Sequence, residues 1–509
     1  MKPRYKWLGI PTVLIGAVAA TLSGPWLPDP PSPAALVQPR ALQEDLDFLH
    51  ARIASGVPTY GLFRPRRDLD ALFASIRARL DRPMTPTEFW RVLTPAVTAV
   101  GDGHLSLSPS PATFVTAPHD RMLPLSVRFA GSRLIVRRNL SDANIPAGSE
   151  ILSVNGLRPA RVVAACAPYI SRSPQIQSRL LEKVARQLSQ QCGIATGMRP
   201  PYRVAYTTPG RSEARVATVD GVTEAEYGSR YQARFPSEKD EPPLELKLLP
   251  AQQSALLTIR TFQDSDGFDF KQALTQSFAE VRASGARSLI VDLRNNPGGP
   301  DSAGALLFGL LARKPFLYVE RREMAAGFRP IIWNSSDRPL VLMELVIPKR
   351  RIAAGGYLLR DDIDRIQSPD PHAFTGPIYA LIDGTSFSTA ANVATLIKHE
   401  RRGLLIGEEA GSGYAEDSGG TFDLTLPNTG LIAVLPVVRY RFQAGPENPP
   451  LRGALPDIAV PRAASDVTGD TDSILETALA ASRRERHSRS TGWSWPAIPD
   501  QIQAMRSGP

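Results

Sequence analysis

Two short stretches hold the residue types that acyl-transfer chemistry needs. In LIDGTSFSTAANVATLIKHE, residues 381–400, an apolar run ends in a small polar cluster and resumes at once as helix formers. The spacing predicts a strand that closes at Asp383 and Gly384 and a helix that starts at Ser388. A serine at such a corner meets the unsatisfied N–H groups and the positive dipole end of the helix, the surroundings that the oxyanion of a tetrahedral intermediate requires. The amide of Thr389 is one candidate donor. In the competing reading Ser386 or Ser388 merely caps the helix, and no G-x-S-x-G elbow is present.

The second stretch is VDLRNNPGG, residues 291–299. Two adjacent glycines at the end of an apolar strand let backbone approach a neighbour closely, so Gly298 and Gly299 are candidates for the second oxyanion donor. A sharp strand-to-helix turn explains them equally well. Asp292 and Arg294 read as a structural pair. A serine also needs a base, and histidine is the side chain whose ordinary pKa lies near neutrality. His104, in the glycine-flanked turn AVGDGHLSLSP, is the candidate; a solvent-facing turn histidine is the alternative. His50 lies in a helix, His119 and His372 adjoin proline or aspartate in loops, and His487 is near the end of the chain. His399 lies three turns, roughly 16 Å, along the helix from Ser388 and cannot reach it.

These residues need a scaffold, and the rest of the sequence supplies one. Helical periodicity at Leu42, Leu46, Leu49 and Ile53, again at Leu69, Leu72, Phe73, Ile76 and Leu80, and again after Thr85 or Thr87 predicts three helices ending at the His104 turn, a module over 41–118. Period-two runs and Asn-Gly turns then predict a β-rich module over 119–250 with a helical insertion. From 251 to 480, strands such as ALLTIRTF, ARSLIVDLR, LVLMELVI and PIYALID alternate with helices, which predicts an α/β layered core with its chemistry at the strands' carboxyl ends.

The 509 residues are enough for two or three domains, and their net charge of +9 is concentrated at the ends. Residues 1–22 and 481–509 each carry +3, which leaves +3 for everything between and excludes a nucleic-acid-binding surface there. The opening MKPRYKWLGIPTVLIGAVAATL, a basic flank before an uncharged apolar run, has the layout of a signal peptide or N-terminal anchor. A proline-rich linker over 23–40 follows, and residues 481–509 read as a basic, flexible tail. The expectation is export to the periplasm or beyond, with membrane association through the N-terminal segment if it is retained. Cys166 and Cys192 are then in a compartment where they can pair, or they remain two buried thiols. No metal is expected: DSDGFDF opens like a calcium loop, but its twelfth position, Thr275, is not Glu. No other cofactor is expected.

GDGHLSL, LIVDLRNNPGG, GTSFSTAANVA, LLIGEEAGSG, LTLPNTG and GALPDIAV follow one another in an order that resembles the S41 serine peptidases, the tail-specific or carboxyl-terminal processing protease family. The resemblance covers 255–480 well and 31–250 more loosely. It implies a crotonase-like α/β core preceded by a PDZ-like module, for which IPAGSEILSVNG is the local likeness. Gly413 stands where the lysine of the family's Ser-Lys dyad falls, so the sequence is closer to the tricorn-like branch with a Ser-His-Glu set. That branch implies His104 as base, Ser388 as nucleophile and Glu447 as the third residue, with Gly298 or Gly299 and the Thr389 amide around the oxyanion. It also implies a polypeptide substrate bound in extended form. A non-catalytic peptide-binding scaffold and a serine esterase are the two rival functions.

Overall fold

A computed structural model describes residues 34–108, 121–188, 191–236, 241–333, 335, 349–352, 355–443 and 451–490. The terminal segments, LVLMELVI and Glu447 lie outside the described residues.

Its centre is a six-stranded sheet. In spatial order the strands are Ile458–Ala459, Leu404–Gly407, Ile378–Ile382, Ser288–Asp292, Ser254–Ile259 and Leu244–Leu249. The first five run parallel and the last is antiparallel to its neighbour. Every residue of Ser288–Asp292 and of Ile378–Ile382 is buried, the condition of interior parallel strands covered on both faces, and this is why they read as unbroken apolar runs. The strand Leu244–Leu249 falls in the β-rich segment by sequence, yet it pairs with Ser254–Ile259 and extends this sheet.

The strands after 315 do not all join the centre. Arg321–Met324, Lys349–Arg351, Tyr357–Leu359, Glu416–Thr425 and Ile432–Arg441 form a second, antiparallel sheet. Ser106–Ser108 completes it by pairing with Ile432, Ala433 and Val434. That pairing carries the turn after the N-terminal helices onto the segment that follows residue 250.

The helices Pro39–Gly56, Arg66–Ala78 and Pro86–Thr98 precede that turn. The third starts with a capping box between Thr85 and Glu88 and proline at its first position. Leu42, Leu46, Leu49, Ile53, Leu69, Phe73 and Ile76 are buried in the same apolar cluster as Val291, Leu293 and Ala390, so the helices share the central core instead of enclosing their own.

A five-stranded antiparallel sheet, Leu125–Ala130, Arg133–Asn139, Glu150–Val154, Tyr202–Thr207 and Ala214–Val219, forms the β-rich module. Its apolar face closes over the helices Pro159–Cys166 and Gln177–Arg186 in a separate core. Cys166 and Cys192 are buried there as free thiols in hydrogen-bond contact. Among the described residues no helix is long and apolar enough to cross a membrane.

Candidate active site

Two neighbouring parallel strands set up the site. Leu381 is in register with Asp292, so the loops that follow the two strands leave the sheet side by side. One is 293–299 and the other is 383–388. They are stitched together by the Phe387 amide on Asn296 O at 3.0 Å, the Asn295 amide on Thr385 Oγ1 at 2.6 Å and the Ser386 hydroxyl on Leu293 O at 2.8 Å.

The two serines have separate tasks. Ser386 is fully buried and its hydroxyl is spent on Leu293 O. Ser388 occupies the N-cap position of the helix Thr389–His399 without making a side-chain cap bond, so the capping explanation fails for it. Among the described residues its Oγ has no hydrogen-bond partner. Its backbone sits at φ 53°, ψ −128°, a conformation that costs a non-glycine residue about 1–3 kcal/mol. Bonds from Ser388 N to Ser412 Oγ at 2.8 Å and from Asn392 N to Ser388 O at 2.9 Å hold it there. Ser388→Gly removes the Cβ that makes this geometry costly, and is expected to unfold at a higher temperature than Ser388→Ala, by about 1 kcal/mol of stability. Thermal melts of the two variants check this, and equal melting would show that no strain is stored.

Gly298 presses against the serine. With φ 105°, a Cβ there would lie 2.7 Å from Ser388 Cβ and 3.1 Å from the Thr389 amide nitrogen. The Gly298 amide is already engaged, donating to Asn296 Oδ1 at 2.8 Å. Asn296 is itself buried and donates to Ile259 O at 2.9 Å. Thr389, at the first helical position, has no intrahelical acceptor for its amide. The Thr389 hydroxyl donates to Gly299 O at 2.5 Å and so ties the two loops together.

His104 lies on the turn that precedes Ser106–Ser108. Its amide donates to Asp102 Oδ1 at 2.8 Å. Its ring packs on Phe387, the residue before Ser388, with centroids 4.4 Å apart. The tautomer follows from counting hydrogens. Ser418 donates its only hydroxyl hydrogen to Asp102 Oδ1 at 2.6 Å, so at 3.1 Å from His104 Nδ1 it can only accept. The proton is therefore on Nδ1, and Nε2 is left as a bare acceptor. That Nε2 is buried and has no partner among the described residues, so its hydrogen bond to the Ser388 hydroxyl is not made in this conformation. Catalytic contacts of this kind are commonly long until substrate tightens them.

Charge around the imidazole favours the neutral base. Burial lowers the His104 pKa from 6.5 to about 4, against the pull of Asp102 and with the help of Arg179 and Lys183. Asp417 Oδ1 lies 3.5 Å from Nδ1, and burial pushes that carboxyl well up. Burial likewise raises Asp301 to about 6. A base of this kind is active above its own pKa, so the acid limb of kcat/KM is expected near pH 4. A limb near 6.5, the ordinary histidine value, would contradict the buried, desolvated ring.

Other candidates fall into structural roles. His50 bonds Asp70 at 3.0 Å and stacks on Phe73, and Lys398 bonds Asp457 at 2.6 Å. Asp292 and Arg294 form an ion pair at 2.6 Å. Glu409 holds Arg452 at 2.7 Å and the Gly453 amide at 2.9 Å. At Gly413 a Cβ would lie 2.1 Å from Glu416 O, so that position accepts no lysine in this backbone. Among the described residues no cluster of three His, Cys, Asp or Glu side chains could hold a metal ion.

Sequence reasoning missed Ser412, Ser418 and Asp102. Asp102 carried a signal, two positions before His104 in GDGH; Ser418 carried none, being 316 residues from Asp102 along the chain.

Residues 253–460 match Peptidase family S41. No curated protein matches the sequence. Mature CPAF complexed with lactacystin is a solved structure with a TM-score of 0.62 and 16% identity, aligned over 88% of this chain and 98% of its own. A serine-to-alanine mutant of CPAF gives a TM-score of 0.64 at 17% identity, over 90% of this chain and 99% of its own. The chain thus carries an S41 peptidase domain in a mixed α/β fold, consistent with a crotonase-like core, and is a serine-type peptidase.

Proposed function

We propose that the protein is an exported serine endopeptidase of the His-dependent, tricorn-like type, with Ser388 as nucleophile and His104 as general base. His104 Nε2 takes the Ser388 proton, and the alkoxide attacks a peptide carbonyl. The charge that develops on the carbonyl oxygen is met by the amide of Thr389 and by those of the Gly298-Gly299 turn, with Gly298 first leaving Asn296. The imidazolium then gives its proton to the departing amine, and water resolves the acyl-enzyme.

The observation that carries this reading is the bare, buried Nε2 of a ring packed on the residue next to a strained, uncapped serine. We assign the orienting role to Ser418 with Asp102 behind it, since that pair fixes the tautomer. Glu447 is the second candidate for this role. The absence of space for a lysine at Gly413 favours histidine as the base. The β-rich module is assigned a PDZ-like role, receiving an extended peptide along a strand edge; Ala214–Val219 is an edge strand, and most of its residues are exposed. The basic and apolar opening of the sequence supports export and contact with a membrane.

Casein digestion by the full-length protein tests the assignment. Treatment with a fluorophosphonate is expected to stop it, and digestion that survives treatment would sink the serine mechanism.

A further inference from the structure

The chain that leaves the strand Leu404–Gly407 runs back along the nucleophile loop before it enters Glu416–Thr425. The Gly411 amide donates to Ser386 O at 2.8 Å, and a Cβ on Gly411 would lie 2.5 Å from Gly384 O, so the two backbones are in contact. That contact sets Ser412 beside Ser388. Ser412 is buried, and its hydroxyl accepts the Ser388 amide at 2.8 Å. A hydroxyl has a single hydrogen to give, and Ser412 gives it to the carboxyl of Asp417.

Asp417 therefore reaches both halves of the catalytic pair. Its side chain is 8% exposed, and Oδ1 lies 3.5 Å from His104 Nδ1, the nitrogen that carries the proton. Through Ser412 the same carboxyl acts on the backbone of Ser388, whose φ of 53° must be held against its cost. Three donors are turned toward it: the Ser412 hydroxyl, the Ser418 amide and the Nδ1 hydrogen. Burial raises its pKa and Asp102 and Asp301 add to this, while the bonds from Ser418 and Ser412 and the charge of Arg179 pull the other way. A ring that turns positive 3.5 Å away also favours the carboxylate, so the two charges stabilise each other most when the imidazolium forms.

We propose that Ser412 and Asp417 are positioning residues that join the nucleophile to its base: the Asp417 carboxyl holds Ser412 on the Ser388 amide and faces the His104 imidazolium as the serine proton is taken. No proton passes to Asp417; the hydrogen that leaves Ser388 Oγ ends on Nε2. The proposal rests on the peptidase reading, since it is the Ser388–His104 pair that the two residues serve.

Steady-state cleavage of an internally quenched peptide taken from a casein cleavage site, and the rate of fluorophosphonate attachment, test this on the full-length protein. Asp417→Asn keeps the size of the side chain but accepts on one side only, because its amide nitrogen donates. It is expected to lower kcat by about 10- to 100-fold with KM within about twofold of the wild type. In the His104→Ala background its effect on attachment should shrink to about threefold or less, because the ring it faces is gone. A merely structural loss would be equal in both backgrounds. Ser412→Ala cuts the same link from the other side and should lower kcat by about tenfold. An unchanged kcat in Asp417→Asn, a loss confined to KM, or an equal loss with and without His104 overturns the proposal. Should Asp417→Asn fail to fold, Ser412→Ala decides, and an unchanged kcat there overturns it as well. A wild type that neither cleaves casein nor takes up the reagent sinks the peptidase reading and this proposal together. A wild type that does both, beside an unimpaired Asp417→Asn, sinks this proposal alone.

Discussion

Ser388→Ala and His104→Ala are each expected to lower kcat/KM for peptide cleavage by about 10⁴- to 10⁶-fold, and the double variant should be little worse than either. This non-additivity follows from their acting as one unit: without the imidazole no group accepts the hydroxyl proton, and without the hydroxyl the imidazole has nothing to activate. Both variants should fold, since Ser388 makes no side-chain cap bond and the His104 ring contributes only its contacts with Phe387 and Ser418. Ser418→Ala leaves Nδ1 without its acceptor and should fall between the wild type and His104→Ala. Glu447→Gln should retain more activity than Ser418→Ala. Additive losses in the double variant would mean that the two residues act in different steps.

The largest effect on stability is expected from Arg462. This buried side chain reaches Glu182 at 2.5 Å and Asp383 at 2.7 Å, joining the helix Gln177–Arg186 of the β-rich module to the loop that carries the nucleophile. Arg128 adds a second contact to Asp383 at 3.2 Å. Burial by itself would raise the Asp383 carboxyl, but Arg128 and Arg462 bring it down from 3.8 to about 2. A carboxyl depressed in the folded state contributes stability that is present above 3.8 and is lost as pH falls through 2. Arg462→Met leaves the buried carboxylates of Glu182 and Asp383 to Arg128 alone and is expected to cost about 3 kcal/mol at neutral pH, with activity lost as the loop loosens. Denaturant unfolding with circular dichroism checks it. A loss below about 1 kcal/mol would show that Arg128 alone neutralises the pair.

The centre of the fold was legible because its chemistry is local. Strands buried on both faces must be apolar throughout, so ARSLIVD and PIYALID announced themselves, and the small residues after them marked the loops that meet at the sheet's carboxyl end. Ser388 was legible for the same reason, as the polar residue where helix formers begin. The alternation after residue 315 was less informative, because strand patterns do not say which sheet they join; half of the segment became the antiparallel sheet that receives Ser106–Ser108. The environment of His104 was out of reach in the sequence. Its orienting partner Ser418 is 314 residues away, and an isolated serine in a strand carries no pattern.

The central claim is that His104 activates Ser388, and the rate and position of fluorophosphonate attachment test it most directly. Peptide mapping by mass spectrometry after brief exposure at pH 7 should find a single adduct, on Ser388, formed far more slowly in His104→Ala. An adduct on another serine, or an unchanged rate of attachment without His104, would contradict it.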